Sequence, residues 1–264
     1  MKILVKLGGT LLDSAESRKR LASEIAAVHA AGVRVVVVHG GGKQMTRFLS
    51  ERGVESKFVG GLRVTTPEVI DAVLKVLAGT VNHELVASFV EAGSMAVGLS
   101  GIDACLTEAE QMHADLGAVG RPVRCNPALL ELLTNNKYLP VVACVVGDRS
   151  GRIYNVNADQ MAVACASGFA ADRLIFLTDV EGVKTSDGGV LPVLTAADCV
   201  RLIRTGVATG GMQAKLNAAT DALRSGIQQI VIAPGALHGA LDRLLAGDSI
   251  GTKLIAASEV HVHA

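Results

Sequence analysis

Tryptophan is absent from this 264-residue chain, and five phenylalanines and two tyrosines are its only aromatics. The apolar half of the composition therefore falls mainly on Ala, Val and Leu, which suits close packing of helices on a sheet. An excess of one charge is also missing: Lys+Arg and Asp+Glu number 25 each. A general nucleic-acid binder shows a basic surplus, so no nucleic-acid partner is expected. No stretch approaches 18 uninterrupted apolar residues, and no membrane span is expected. The N-terminal MKILVKLGG reads as a first strand, because Lys6 and two glycines interrupt what would be the apolar region of a signal. There is no CxxC. Cys105, Cys125, Cys144, Cys165 and Cys199 are scattered and odd in number. They read as small buried hydrophobes of a reducing cytoplasm, with no disulfide and no metal cluster. Repeats, low-complexity tracts and linkers are lacking too.

What is present is an alternation of short apolar runs and longer helical patterns. Strands are expected at Ile3–Leu7, Val33–Val38, Ala96–Leu99, Leu139–Val146, Arg173–Thr178 and Gln229–Ala233. Helices are expected near Ala15–Ala31, Gln44–Arg52, Pro67–Ala92, Ala158–Ser167, Ala196–Thr205, Met212–Ser225 and Leu237–Leu245. Ser14, and Pro67 behind Thr66, supply start signals, and Gly32 and Gly226 supply stops. Thr107–Arg124 reads as irregular or hairpin structure, and Ser186–Gly189 as a polar turn. Near-continuous apolar strands separated by helices imply an α/β fold: a three-layer αβα sandwich around a mostly parallel sheet. Ligands in such sheets gather at the carboxyl ends of the strands. That directs attention to Gly8–Gly9, His39–Gly42, Ser100–Gly101, Gly147–Asp148 and Asp179–Gly182.

The triplet Gly40–Gly42 after a run of valines has several competing readings. A dinucleotide cradle needs GxGxxG, and the third glycine position holds Met45. A P-loop needs GxxxxGK[ST], and Gln44 follows Lys43 while Val37 stands at the first glycine position. A serine hydrolase with an HGGG oxyanion hole needs G-x-S-x-G, and in Gly98-Leu99-Ser100-Gly101-Ile102 the closing glycine is displaced by one. A loop of backbone N–H groups opening a helix near Lys43 remains, suited to anionic oxygens; a plain tight turn is the competing structural reading. Lys6-Leu7-Gly8-Gly9, Asn155-Val156-Asn157-Ala158-Asp159 and Gly210-Gly211-Met212-Gln213-Ala214-Lys215 each admit an equally bland explanation, such as an N-cap or a surface lysine.

Taken in order, K-L-G-G, H-G-G-G, G-L-R-V-T at 61–65, N-V-N-A-D at 155–159, L-T-D-V-x-G-V at 177–183 and G-G-M-x-x-K at 210–215 resemble the amino-acid kinase superfamily, and within it the branch acting on N-acetylglutamate. The match spans about residues 2 to 255. The resemblance implies that fold and ATP-dependent phosphorylation of the side-chain carboxylate of N-acetyl-L-glutamate, a step of arginine biosynthesis. It further implies Lys6 and Lys215 as the charges on the transferring phosphoryl group, and Asp159 as the group that holds them. Gly41 and Gly42 would be N–H donors, Arg63 and Asn155 ligands of the α-carboxylate region, and Asn157 a support of that loop. Gly8, Gly9, Asp179, Val180, Gly182, Lys184, Thr209, Gly210, Gly211 and Met212 would line the nucleotide site. The cofactor would be ATP with Mg2+ carried by the nucleotide, with no metal site in the protein. Residues up to about 170 would form an acyl-substrate and dimerisation lobe of a single domain, and 171–264 a nucleotide lobe.

The chemistry is consistent with such a set. A carboxylate nucleophile is ionised at neutral pH and needs no general base, so alignment of two anions and relief of their repulsion are what the site must supply. His39 is accordingly expected to orient the loop rather than act as a base. Ile102, where many family members carry lysine, and Cys144, where a more polar residue is usual, are departures near the expected substrate region. The absence of an N-terminal helical extension suggests an arginine-insensitive homodimer with Pro67–Ala92 at the interface. The tail His261-Val262-His263 is expected to be a solvated end. Two alternatives remain: a kinase acting on carrier-bound aminoadipate or glutamate, and a non-catalytic sensor on the same fold, which should have lost Lys6, Lys215 or Asp159.

Overall fold

The computed structural model describes residues 1–256, so His261 and His263 lie outside the described residues. Along the chain, β1 (Lys2–Leu7) leads through a tight turn, Gly9–Leu12, into α1 (Ala15–Ala30), and β2 (Arg34–His39) leads into α2 (Gly42–Ser50). A small hairpin, β3 (Phe58–Val59) and β4 (Leu62–Arg63), precedes a long helix. This comprises α3 (Pro67–Val73) and α4 (Asn82–Glu91), joined without interruption by a π-helical stretch, Leu74–Val81. Then come β5 (Ala96–Ser100), β6 (Thr107–Gln111), β7 (Val119–Cys125), α5 (Ala128–Asn135), β8 (Leu139–Ala143), β9 (Val145–Gly147), β10 (Ile153–Val156) and α6 (Ala158–Phe169). The last part holds β11 (Arg173–Thr178), β12 (Val193–Thr195), α7 (Ala196–Arg204), α8 (Gly210–Arg224), β13 (Gln229–Pro234), α9 (Ala240–Ala246) and β14 (Thr252–Ile255). Local chemistry fixes several starts. The Ser14 hydroxyl accepts from the Ser17 N–H, Thr66 caps α3 with Pro67 in its first turn, and Thr195 and Asp198 form a reciprocal capping box.

Eight strands make one sheet in the order β12-β14-β13-β11-β1-β2-β8-β5. All neighbours are parallel except β13 and β14. Val35 to Val38 are fully buried, as expected for a strand covered on both faces. Side-chain alternation assigns the layers. Lys2 and Lys6 of β1 point to one face, where Lys2 reaches Glu131 of α5 and the Phe169 carbonyl of α6. His39 of β2 points to the other, where it meets Asn82 of α4. Helices α5, α6 and α8 thus cover one face, and α1 and α4 the other. The sheet is a mixed, mostly parallel one flanked by helices on both sides, and it runs unbroken past residue 170, since β1 pairs with both β2 and β11.

Pro67–Glu91 is long and apolar enough, by length and composition alone, to cross a membrane. Here it is a layer helix, with Val69, Val73, Leu77, Leu85 and Phe89 buried in the core. The run Leu139–Val146, read above as one strand, is two: Cys144 breaks it, and β9 leaves the main sheet to join a ring of four short strands with β6, β7 and β10. The segment Thr107–Arg124 contains the antiparallel pair of β6 and β7.

Candidate active site

Three charged side chains meet beneath the carboxyl ends of the central strands. Lys6 comes from β1, Asp159 from the first turn of α6, and Lys215 from the second turn of α8. The Lys6 ammonium lies 2.6 Å from one Asp159 oxygen, and that of Lys215 lies 3.0 Å from the other. All three side chains are about nine-tenths buried. Burial works against the charged Asp159 carboxylate, but Lys6 and Lys215 more than offset it and hold the carboxyl below its ordinary range. Burial, joined by repulsion from Lys6, draws Lys215 below the ordinary lysine value against the pull of Asp159. The Lys215 ammonium also sits 5.3 Å from the ring centre of Phe176, whose strand position is paired with Lys6. Two cations on one anion leave a surplus positive charge in a low-dielectric floor, a standing attraction for an anion.

Above this floor two glycine loops approach each other. A Cβ on Gly9 would stand 3.2 Å from the Gly42 nitrogen, and one on Gly41 only 2.5 Å from Leu77 Cδ2. The Gln44 side chain ties the loops by donating to the Gly9 carbonyl at 3.3 Å. Met45 N–H makes the first intrahelical bond of α2, to Gly41, so the N–H groups before it are free to face a ligand.

The small hairpin forms the opposite wall. Arg63 is buried, donates to the Gly42 carbonyl at 3.0 Å and the Thr46 hydroxyl at 2.9 Å, and also bonds Ser56. Phe58 stacks on its guanidinium, 4.7 Å from the ring centre. Asn155 donates to the Thr65 hydroxyl at 3.1 Å. Asn157 caps α6, its side-chain oxygen accepting from the N–H groups of Asp159 (2.9 Å) and Gln160 (3.3 Å). The N-cap reading of this segment therefore holds, and the cap fixes the backbone that carries Asp159.

Two adjoining cavities share Lys6, Gly9, Gly42, Phe58 and Arg63. The larger, about 780 Å³, is also lined by Gly8, Asp159, Asp179, Val180, Gly211, Met212 and Lys215. The smaller, about 220 Å³, adds Gly41, Asn155, Asn157, Leu77 and Cys144. Gly210 lies in a neighbouring groove of about 380 Å³ that it shares with Asn157. Gly182, Lys184 and Thr209 line none of these. Gly182 packs on Thr252 and Val190, Lys184 pairs with Glu181 at 2.9 Å, and the Thr209 carbonyl accepts from Met212 at the start of α8. Sequence reading passed over Thr10, Thr46, Arg47 and Phe58, all on the wall of the larger cavity. Helical spacing from Lys43 was the available signal for Thr46 and Arg47. Ile102 lines neither cavity and packs near Gly147. Cys144 does line the smaller one, with its thiol pushed up to about 11 by burial.

Neither His39 nor Ser100 is placed for covalent or acid–base work. Asn82 donates one amide hydrogen to His39 Nε2 at 3.0 Å and the other to the Val141 carbonyl at 2.9 Å. That leaves the proton on Nδ1, which donates to the Gly40 carbonyl at 2.9 Å. The ring is fully buried, which lowers its pKa to about 4 against a raising effect of the Gly40 bond. Ser100 donates to the Asp103 carboxylate at 2.9 Å, which removes it as the nucleophile of an HGGG hydrolase. Among the described residues no group of three or more His, Cys, Asp or Glu stands together as a metal cluster, and the cysteines are free thiols.

The model of the amino acid kinase family matches residues 1–234 of this sequence. The chain belongs to the amino acid kinase family. An acetylglutamate kinase of Solibacter usitatus (strain Ellin6076) is 69% identical over 97% of this chain and 100% of its own length. One from Brucella canis is 39% identical, covering 96% of this chain and 90% of its own. Among solved structures, smu.665 from Streptococcus mutans UA159 superposes with a TM-score of 0.83 at 28% identity, covering 96% of this chain and 98% of that one. In this amino acid kinase the buried Lys6–Asp159–Lys215 group and the paired glycine loops face one continuous opening.

Proposed function

We propose that this amino acid kinase transfers the γ-phosphoryl group of ATP to the side-chain carboxylate of N-acetyl-L-glutamate, giving an acyl phosphate in arginine biosynthesis. The observation that carries the reading is the pair of buried lysines sharing Asp159 at the floor of a cavity walled by free helix-start N–H groups. The similarity to acetylglutamate kinases over nearly the whole chain supplies the acceptor.

Each residue then has a task. The acceptor occupies the smaller cavity, its α-carboxylate toward Arg63, whose planar fork suits two oxygens, with Asn155 beside it. The nucleotide occupies the larger cavity, its sugar and base toward Val180, Gly211 and Met212 and its phosphates over Gly8 and Gly9, on the side of Asp179. The acceptor carboxylate attacks phosphorus, and charge spreads over the equatorial oxygens of the transferring group. Lys6, Lys215 and the N–H groups of Gly41 and Gly42 face that charge, while Asp159 fixes both ammonium groups without taking a proton.

Mg2+ would arrive on the nucleotide. The donor set fits this: of the two cavity carboxylates, Asp159 is taken up by both lysines, and Asp179, bonded to the Thr178 hydroxyl at 3.1 Å, is left near the phosphates. When bound, the ion neutralises phosphate charge. The acceptor side belongs to residues up to about 170 and the nucleotide side mainly to 171–264. We place the chain in the cytoplasm as a homodimer joined through α3 and α4, without membrane or nucleic-acid partners. Free thiols support the compartment.

The test is ATP-dependent acyl phosphate trapped with hydroxylamine on N-acetylglutamate, glutamate, aspartate and N-acetylaminoadipate. Turnover confined to N-acetylglutamate is expected. A protein that binds ATP yet phosphorylates none of these acids would contradict the assignment of the acceptor.

A further inference from the structure

Helix α2 carries Lys43 and Arg47 one turn apart, with Thr46 between them, and all three line the larger cavity. They do not line the smaller cavity that holds Asn155 and Gly41. Both cations lean on Asp13, but loosely. Lys43 Nζ is 3.6 Å from one carboxylate oxygen and an Arg47 guanidinium nitrogen is 4.0 Å from the other, both beyond hydrogen-bond length. Both side chains are more than 60% exposed, whereas Lys6 and Lys215 are buried at 2.6 and 3.0 Å from Asp159. Lys43 also stands in the first turn of α2, where the field of the helix opposes a cation and no acidic residue of that turn compensates. A purely structural pair would be better placed almost anywhere else on α2. At this place it adds to a field already positive from Arg63, Lys6 and Lys215, on the cavity that also holds Asp179, Val180, Gly211 and Met212.

We propose that Lys43 and Arg47 are releasable ligands of the nucleotide polyphosphate, parked on Asp13 until the phosphates enter and then transferred to them. The inference rests on the nucleotide occupying the larger cavity, not on the identity of the acceptor. A polyphosphate offers more charge than one carboxylate, so the exchange runs toward the ligand, and Thr46, bonded to Arg63 at 2.9 Å, keeps the acceptor-side arginine on the same helix face. Asp13 sets how strongly the cations are withheld, which makes it a positioning residue rather than a ligand.

The test uses the full chain titrated with the non-hydrolysable analogue AMP-PNP and Mg2+, and separately with adenosine, which lacks phosphates. In K43Q/R47Q the dissociation constant for AMP-PNP rises about tenfold, the loss of roughly one charge-assisted contact, while that for adenosine stays within twofold. Asp13→Asn tightens AMP-PNP binding, and the gain disappears in D13N/K43Q/R47Q. In turnover the defect of K43Q/R47Q falls on KM for ATP and not on KM for the acceptor. An unchanged AMP-PNP constant, or equal losses for AMP-PNP and adenosine, overturns the proposal. Failure to phosphorylate N-acetylglutamate by a protein that shows the AMP-PNP contrast would overturn the acceptor assignment and leave this inference standing.

Discussion

At the residue scale, the site is a problem of placing cations without losing them to water or to one another. Asp159 accomplishes this by standing between Lys6, on one of its oxygens, and Lys215, which donates to both. Arg63 illustrates a second solution. Phe58 covers one face of its guanidinium while Gly42 and Thr46 accept from its edge, so its orientation is set before any ligand arrives. Arg63→Lys keeps the charge but loses the fork and the stack. The variant should therefore raise KM for N-acetylglutamate about tenfold, a loss of roughly one bidentate contact, with a smaller effect on kcat. Steady-state kinetics check this, and a fall in kcat at unchanged KM would remove Arg63 from acceptor binding.

At the element scale, each site loop is braced by a neighbour distant in sequence. The end of β2 is held by His39, which ties the Gly40 carbonyl to Asn82 of α4, while Asn82 also reaches β8 through Val141. Because burial lowers the His39 pKa from 6.5 to about 4, the unfolded chain binds a proton there more readily than the folded one between those values. The stability that neutral His39 supports is present above pH 6.5 and is lost as the pH falls toward 4, amounting to about 3 kcal/mol for a shift of this size. Denaturant unfolding between pH 7 and 4 should show a steeper acid loss in the wild-type chain than in His39→Gln; parallel curves would mean that His39 does not titrate with folding. Such bracing was not legible in the sequence, although His39 itself stood out. The long apolar strands were legible, because four buried valines or the run Arg173–Thr178 carry a strong local signal. Strands of two to four residues, such as β3, β4, β12 and β14, have no period to read, and the eight residues of α5 announce themselves only by Asn126-Pro127, the Asn126 side chain accepting from the Ala128 N–H. The break at Cys144 is invisible locally, since every residue of Leu139–Val146 is buried on both sides of it.

At the scale of the whole molecule, the order β13-β11-β1-β2-β8 sets the carboxyl ends of parallel strands side by side, and the site lies along that edge. Lys6, Asp159 and Lys215 are far apart in sequence, and only the sheet with α6 and α8 on one face brings them together. The glycine and asparagine motifs come together around the two cavities. Exclusion of Gly182, Lys184 and Thr209 from the cavities depends on how the 179–210 connection folds over β14, which no local pattern encodes. α3 and α4 form the surface proposed for the homodimer, and Val90 there is more than half exposed. Light scattering on the purified chain should give twice the 27.2 kDa chain mass, and a monomeric mass at micromolar concentration would contradict the dimer.

The central claim is that the buried lysine pair acts on the transferring phosphoryl group, not on ground-state binding. It is tested most directly by kcat of Lys6→Met with ATP and N-acetylglutamate both saturating. The account predicts a fall of about a hundredfold or more, the loss of one preorganised donor in the transition state, with both KM values changed far less. A variant that keeps wild-type kcat would contradict it.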